Sequence, residues 1–410
     1  MRKEPDMEAN STYFIKLLSA FLHRHDPLQE NEIDWERVYR LGNIHFVSGM
    51  IFFTARGLRE GNRPPGHILH RMKQDFASTL ARSAAQEEEM DGVIREFCKA
   101  EIPHLLLKGF AIRGCYPVKE LRTMGDIDFL IKREDRAKSH GLLLALGFKA
   151  GPANGNVWHY AKGKVSLEVH SELFSDNINN RFDYIGYFSG AWEHAVREPN
   201  GFTYMFKPAY HLLYLLVHMA KHFHGHGCGI RMILDIAAYV KQVEETLDWA
   251  WIEGELKKLR LSVFASNVFG LCRRWFGTLT PMHGHSEMEE TVYKEISDYI
   301  LSAGTFGFYR RNKYASIRRK FNDGHRGGQK KPAAGSYYSK FFFPSYRTLS
   351  NSGAYAFVRN RPYLVPVAWI YRFARNLIPR RRSPVRILLD IAGSKREYNR
   401  QADVLSKMGL

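Results

Sequence analysis

The segment Asp126-Ile127-Asp128-Phe129-Leu130-Ile131 constrains this chain more than any other, because Ile127, Phe129 and Ile131 alternate with Asp126 and Asp128. A period of two predicts a strand with one face in a core. It also sets both carboxylates on the opposite face, about 6.6 Å apart along the strand. Like charges at that spacing disfavour each other's ionisation unless a cation lies near them. Hard carboxylate oxygens suit Mg2+, or Mn2+, in company with phosphate. An Asp-x-Asp pair alone is a weak motif, since solvated loops carry many.

The neighbouring segments add to it. Upstream, the apolar run from Ile102 to Leu107 predicts a strand over 103–108 that ends in Lys108-Gly109, where the backbone must turn into a short helix at 110–116. A lysine at the end of an apolar strand is costly to bury unless something anionic faces it. Downstream, Val165-Ser166-Leu167-Glu168-Val169-His170 alternates again, with Glu168 and His170 on one face. His170 can orient a metal ligand, touch substrate or serve as a hydrogen-bonded strand histidine. Arg122, four residues before Asp126, suits either a phosphate or the acidic cluster. Asp126, Asp128 and Glu168 on neighbouring strands beside a glycine turn form a two-metal arrangement of the kind used for phosphoryl or nucleotidyl transfer.

These residues resemble the nucleotidyltransferase superfamily, and within it the uncharacterised bacterial nucleotidyltransferase family. The resemblance rests on Leu107-Lys108-Gly109, Tyr116-Pro117, Arg122, Asp126-Ile127-Asp128 and Glu168-Val169-His170. It extends to His211-Leu212-Leu213, His218-Met219-Ala220-Lys221-His222, Arg231 with Asp235, and Pro362 to Arg372. It implies an α+β fold in which a small mixed-sheet core is flanked by N-terminal and C-terminal helical regions. It also implies a Mg2+-dependent enzyme that moves an NMP from an NTP to an acceptor hydroxyl. Asp126, Asp128 and Glu168 would be the catalytic and metal-holding groups, and Lys108, Gly109, Arg122 and Arg231 the nucleotide-binding ones. Gly109 is followed by Phe110, where the superfamily usually carries Gly-Ser or Gly-Gly, so a hydroxyl contact with phosphate is lost and Lys108 supplies charge instead. The same site could serve γ-phosphoryl transfer, or persist as a degenerate nucleotide-binding scaffold. Replacing Asp128 is expected to leave stability unchanged or raise it, because a like-charge contact disappears.

At 410 residues the chain can hold several domains. Helical spacing dominates 1–100, as in Tyr13, Phe14, Leu17, Leu18, Phe21 and Leu22. An α/β core spans 101–200, with a strand at 126–132, a helix at 134–146 and a hairpin through 157–170. A helical domain follows at 201–305, where Trp249-Ala250-Trp251 marks a helix start, and a basic helical and loop region at 306–410. A polar link lies at 279–291, and the Gly- and Lys-rich stretch 321–340 reads as a mobile loop. Arg231 and Asp235, one turn apart, suit an i,i+4 salt bridge, or a triphosphate contact by Arg231 with Asp235 helping to deprotonate the acceptor. His218, His222, His224 and His226 suit a polar cluster facing the acidic site, or a helix C-terminus with solvated histidines, better than zinc, because no cysteine lies near and Gly225 and Gly227 loosen the end.

Charge is divided unevenly. Residues 301–410 carry 23 Lys+Arg against 4 Asp+Glu, whereas the first 300 residues sum to −1. Arg318-Arg319-Lys320 and Arg380-Arg381-Arg382 interleave with Tyr337-Tyr338 and Phe341-Phe342-Phe343, and Trp369 to Ile378 has one greasy and one cationic face. RNA, a membrane surface and an acidic protein are all partners that this composition suits. The segment from about Tyr309 is expected to be removable without disturbing the metal site. Widely spaced cysteines and an N-terminus without an apolar signal core place the protein in the cytoplasm, with peripheral membrane contact as an alternative.

Overall fold

The computed structural model describes residues 7–175, 177–178, 182–199, 201–281, 288–305, 343–350, 353–377 and 399–410. The expected loop at 321–340, the clusters at 318–320, 337–338 and 380–382, and residues 282–287 of the 279–291 link lie outside them. The described residues up to Thr305, with Val404–Leu410, form one unit, and those between Phe343 and Asp403 form another.

In the first unit, α1 (Met7–His23), α2 (Trp35–Ile44), α3 (Ser48–Ala55) and α4 (Gly66–Lys99) precede the sheet. The α1 stripe read from the sequence, Tyr13 to Leu22 at three-to-four spacing, is buried throughout. Next come β1 (His104–Leu106), α5 (Lys108–Ile112), β2 (Ile127–Ile131), α6 (Arg136–Ala145), β3 (Lys149–Asn154), β4 (Val157–Lys162) and β5 (Val165–His170). After α7 (Tyr184–Phe188), β6 (Ala195–Arg197) and β7 (Thr203–Phe206) complete a seven-stranded mixed sheet ordered β3-β4-β5-β2-β1-β7-β6. The architecture is α+β, as expected. The strands β3, β6 and β7 were not anticipated, because three to six residues with mixed polarity give no clear period of two. The pairing of β7 with β1 also carries the sheet past residue 200.

The central strand β2 runs antiparallel to β1 and parallel to β5. Its Ile127, Phe129 and Ile131 are fully buried in a core with Met90, Val93 and Phe97 of α4. Phe97 meets the Phe129 ring edge-on at 5.7 Å, a geometry that adds to area burial. With that face committed to α4, the other face of β2 must carry Asp128. The helices α8 (Pro208–His226), α9 (Ile230–Val243), α10 (Trp249–Lys258), α11 (Ser262–Phe276) and α12 (Glu290–Ala303) follow. Asp248 caps α10 by accepting from the Trp251 N–H at 2.9 Å, so the Trp-Ala-Trp start is where the sequence placed it. Val404–Leu410 returns to this unit: Val404, Leu405, Met408 and Leu410 are buried, Lys407 pairs with Glu295, and Asn267 donates to the Lys407 carbonyl at 3.0 Å.

The second unit has a small core of Leu349, Tyr355, Val358 and Ala368, with helices at Tyr346–Ser350 and Val365–Leu377. Among the described residues no helix is long and apolar enough to cross a membrane.

Candidate active site

The parallel pairing of β2 and β5 sets Asp128 directly opposite Glu168 and Leu130 opposite His170. Both carboxylates therefore leave the sheet on the same side, and His170, two residues on, follows them. Ligand atoms of Asp128, Glu168 and His170 all lie within 4.8 Å of one another. His170 Nε2 stands 3.0 Å from Asp128 Oδ1 and 3.6 Å from Glu168 Oε2. On the other side of Glu168, His159 Nδ1 lies 3.3 Å from Oε1, because β4 pairs His159 with Glu168. His159 was not singled out in the sequence. Counting back from the two-residue hairpin loop Gly163-Lys164 would have registered it there.

Asp126 stands one residue ahead of β2, half-buried. Burial, then the like charges of Asp128 and Glu168, raise its carboxyl to about 7, and it shares a hydrogen bond with Glu168. Asp128 behaves oppositely. Burial alone would raise it, but Lys108 and His170 hold it well below the usual carboxylate range. Glu168 is lowered by its hydrogen bond with His170, and His170 is raised by both acids against its own burial. Three carboxyl groups are thus crowded onto one face. The sequence predicts Asp126 inside a strand at 126–132; the structure begins β2 at Ile127, gathers His170 with Asp128 and Glu168, and leaves Asp126 at the margin.

Lys108 supplies the compensating charge. Its Nζ donates to Asp128 Oδ1 at 2.6 Å. The residue sits at a φ of 48°, a left-handed conformation that costs a side-chain-bearing residue about 1–2 kcal/mol. Strain of that kind persists where surrounding contacts hold it. Tyr214 and His218, facing inward from α8, complete this side; burial, Lys108 and His222 drive the His218 imidazole well below its usual range. His218 Nε2 meets His222 Nε2 at 3.1 Å. His226 ends α8, and its side chain is outside the described set.

Gly109 has a different neighbour from the one expected. A Cβ there would fall 2.1 Å from Arg122 Nη1 and 2.8 Å from its Cζ, so the glycine makes room for a guanidinium of this chain. Arg122 grips Asp235 of α9 with two bonds, Nε to Oδ1 at 3.0 Å and Nη2 to Oδ2 at 2.6 Å, and Tyr116 donates to Oδ1 at 2.5 Å. Asp235 therefore pairs across the fold with Arg122, and its carboxylate is taken up there. Arg231 instead donates through Nη1 to the Thr123 carbonyl at 3.0 Å and hydroxyl at 2.9 Å. Thr123 in turn donates to the Phe46 carbonyl at 2.7 Å. Burial and Arg122 bring the Arg231 guanidinium down to about 10. Phe110 lies under the Arg113 guanidinium, 4.3 Å from ring centre, and packs on the core. Glu87 of α4 holds Arg113 and Lys119 at 2.8 and 2.6 Å. The whole segment between β1 and β2 is thereby fastened to α4 on one side and α9 on the other.

A mixed sheet whose central strand presents an aspartate opposite a glutamate on a parallel neighbour, with a second aspartate just ahead of the strand and a lysine turn beside them, defines a nucleotidyltransferase-type core. Residues 31–277 match the family described as uncharacterised nucleotidyltransferase, and the chain belongs to that family, which makes it an enzyme of the nucleotidyltransferase class. The match runs from α2 to the end of α11 and takes in every site residue named above, ending before the basic region. No curated protein and no solved structure matches the chain.

Proposed function

We propose that the enzyme transfers an NMP from an NTP to an acceptor hydroxyl in the cytoplasm, with Mg2+ as cofactor and pyrophosphate as the second product. The observation that carries this reading is the pairing of Asp128 with Glu168 on parallel strands, with Asp126 beside them, where burial and then their like charges raise its carboxyl to about 7. Carboxyl groups pressed together in this way are relieved by a cation. The donor set fits a hard divalent ion, since it offers carboxylate oxygens and one imidazole and no thiolate. Asp126, Asp128 and Glu168 would hold it. A divalent cation bound there supplies Lewis-acid stabilisation of charge on the phosphate oxygens.

The remaining roles belong to the chain. Lys108 binds a phosphate oxygen from its place beside Asp128, and Arg231, braced on Thr123 near the charge of Asp126, meets the triphosphate. The acceptor oxygen bonds to the α-phosphorus as the bond to the bridging oxygen breaks. Pyrophosphate leaves with that electron pair, and the acceptor's proton passes to the carboxylate cluster. Arg122 and Gly109 act by holding the turn, since the guanidinium is committed to Asp235. That same commitment favours a second reading, a nucleotide-binding scaffold without turnover, because the space at Gly109 is filled from within.

The test is to incubate acceptor mixtures with each NTP and Mg2+, with label at the α or γ phosphate, and read products by mass spectrometry. The proposal expects α-label on the acceptor and free pyrophosphate. Transfer of γ-label reassigns the site to phosphoryl transfer. Nucleotide-dependent stabilisation with no product from any acceptor class supports the scaffold.

A further inference from the structure

The helix Val365–Leu377 has two apolar faces, where a surface helix ordinarily has one. Its inner face closes the small core: Ala368 is fully buried with Leu349, Tyr355 and Val358, and the Trp369 indole donates to the Pro344 carbonyl at 2.9 Å. Its outer face leaves Val367 51%, Ile370 71% and Tyr371 45% exposed, with Tyr363 72% exposed in the turn before it. Positions 363, 367, 370 and 371 fall on one side of a helix. Of the twelve large apolar side chains exposed among the described residues, six lie between Phe343 and Tyr371, and the others are spread from Leu28 to Leu279. The concentration is therefore a property of this segment.

Charge says what covers it. From Gly324 to Leu389 the sequence holds 13 Lys+Arg and no Asp or Glu, with Arg359 and Arg361 just before the stripe and Arg372 and Arg375 in the same helix. RNA would answer the arginines, but branched aliphatic side chains do not stack on bases as aromatic rings do. An acidic protein would need an apolar groove cut to the stripe. A bilayer with anionic phospholipid offers both components together: phosphate headgroups for the arginines, and an acyl boundary for Val367 and Ile370. The tyrosines suit the headgroup level between them. We propose that the outer face of Val365–Leu377 docks on an anionic lipid surface, with the helix lying in the plane of the interface.

The inference is independent of the catalytic reading and is tested without an acceptor. The full chain is floated with phosphatidylcholine vesicles, with and without about a third phosphatidylglycerol, across a salt series. The expected result is flotation with the mixed vesicles alone, weakening as salt rises. Val367→Asp with Ile370→Asp should lower the partition coefficient by about tenfold or more, since both side chains sit where an interfacial helix buries its apolar face. The milder pair Val367→Ser with Ile370→Ser keeps the test readable if the acidic pair disturbs the small core, with unchanged melting as the control. Failure of the wild type to float overturns the proposal. So does undiminished flotation of both pairs, or retention on RNA with no flotation.

Discussion

Lys108 changes what the removal of an acidic neighbour should do. Asp128 looks like a source of repulsion in the sequence, so its loss was expected to be harmless to stability. In the structure its carboxylate is the partner of a largely buried ammonium and of His170, and taking one member from such a pair costs about 3–5 kcal/mol. Asp128→Ala should therefore melt well below the wild type and lose at least about a thousandfold in turnover. Asp128→Ala with Lys108→Met should recover much of the stability and none of the activity; a double variant no more stable than the single one would contradict the pairing. Asp126 gives a pH signature of opposite sign. Its carboxyl binds a proton more tightly in the folded state, at about 7 against about 4 in an unfolded chain, so stability falls as pH rises through that window. Asp126→Asn removes the slope. In chelator the variant should melt with the wild type at pH 4 and above it at pH 8, and Mg2+ should narrow the gap at pH 8 by stabilising the wild type. Parallel melting curves for the two proteins across pH would remove Asp126 from the crowded site.

The elements are held together by a polar clamp that one-dimensional reasoning assigned to the wrong partners. Arg231 and Asp235 are one turn apart on α9, and local spacing favours their pairing. Yet Asp235 reaches Arg122 with two bonds and Tyr116 with a third, while Arg231 braces the Thr123 turn. Contacts more than a hundred residues apart leave no periodic trace. What the sequence did carry was the local part: β2 and β5, the Lys108 turn, the stripe on α1 and the start of α10 follow from alternation and helical spacing. His159 and the α8 groups Tyr214 and His218 reach the site through pairing register and helix packing, which only the assembled fold supplies. The clamp can be tested by a thermodynamic cycle. Arg122→Met should cost about 3–5 kcal/mol by leaving Asp235 buried and unpaired, and Arg122→Met with Asp235→Leu should cost less. Gly109→Ala should act like Arg122→Met, since its methyl would collide with the guanidinium. Equal, additive losses in urea melts would mean that the clamp stores no coupling.

Charge and chain path divide the whole protein differently. The basic excess sits after residue 300, as the sequence predicts, but Val404–Leu410 belongs to the site-bearing unit. Truncation after Thr305, intended to remove the basic region alone, would strip Met408 and Leu410 from their burial and Lys407 from Glu295. The truncated chain should lose several °C in melting temperature. A chain in which about 20 flexible residues replace 308–403 should keep it. If both melt alike, the last seven residues contribute nothing to the unit. The return of Val404–Leu410 also sets an order on biosynthesis. The segment from Phe308 to Asp403 must be made before the closing residues exist, a delay on the order of ten seconds at ordinary elongation rates. A nascent chain stalled within that window would carry all the site's charged groups without the contacts of Met408 and Leu410. Ribosomes would thus expose a catalytic unit that is complete in chemistry and unfinished in packing, and its full protection from proteases would begin only once Val404–Leu410 have been made and packed.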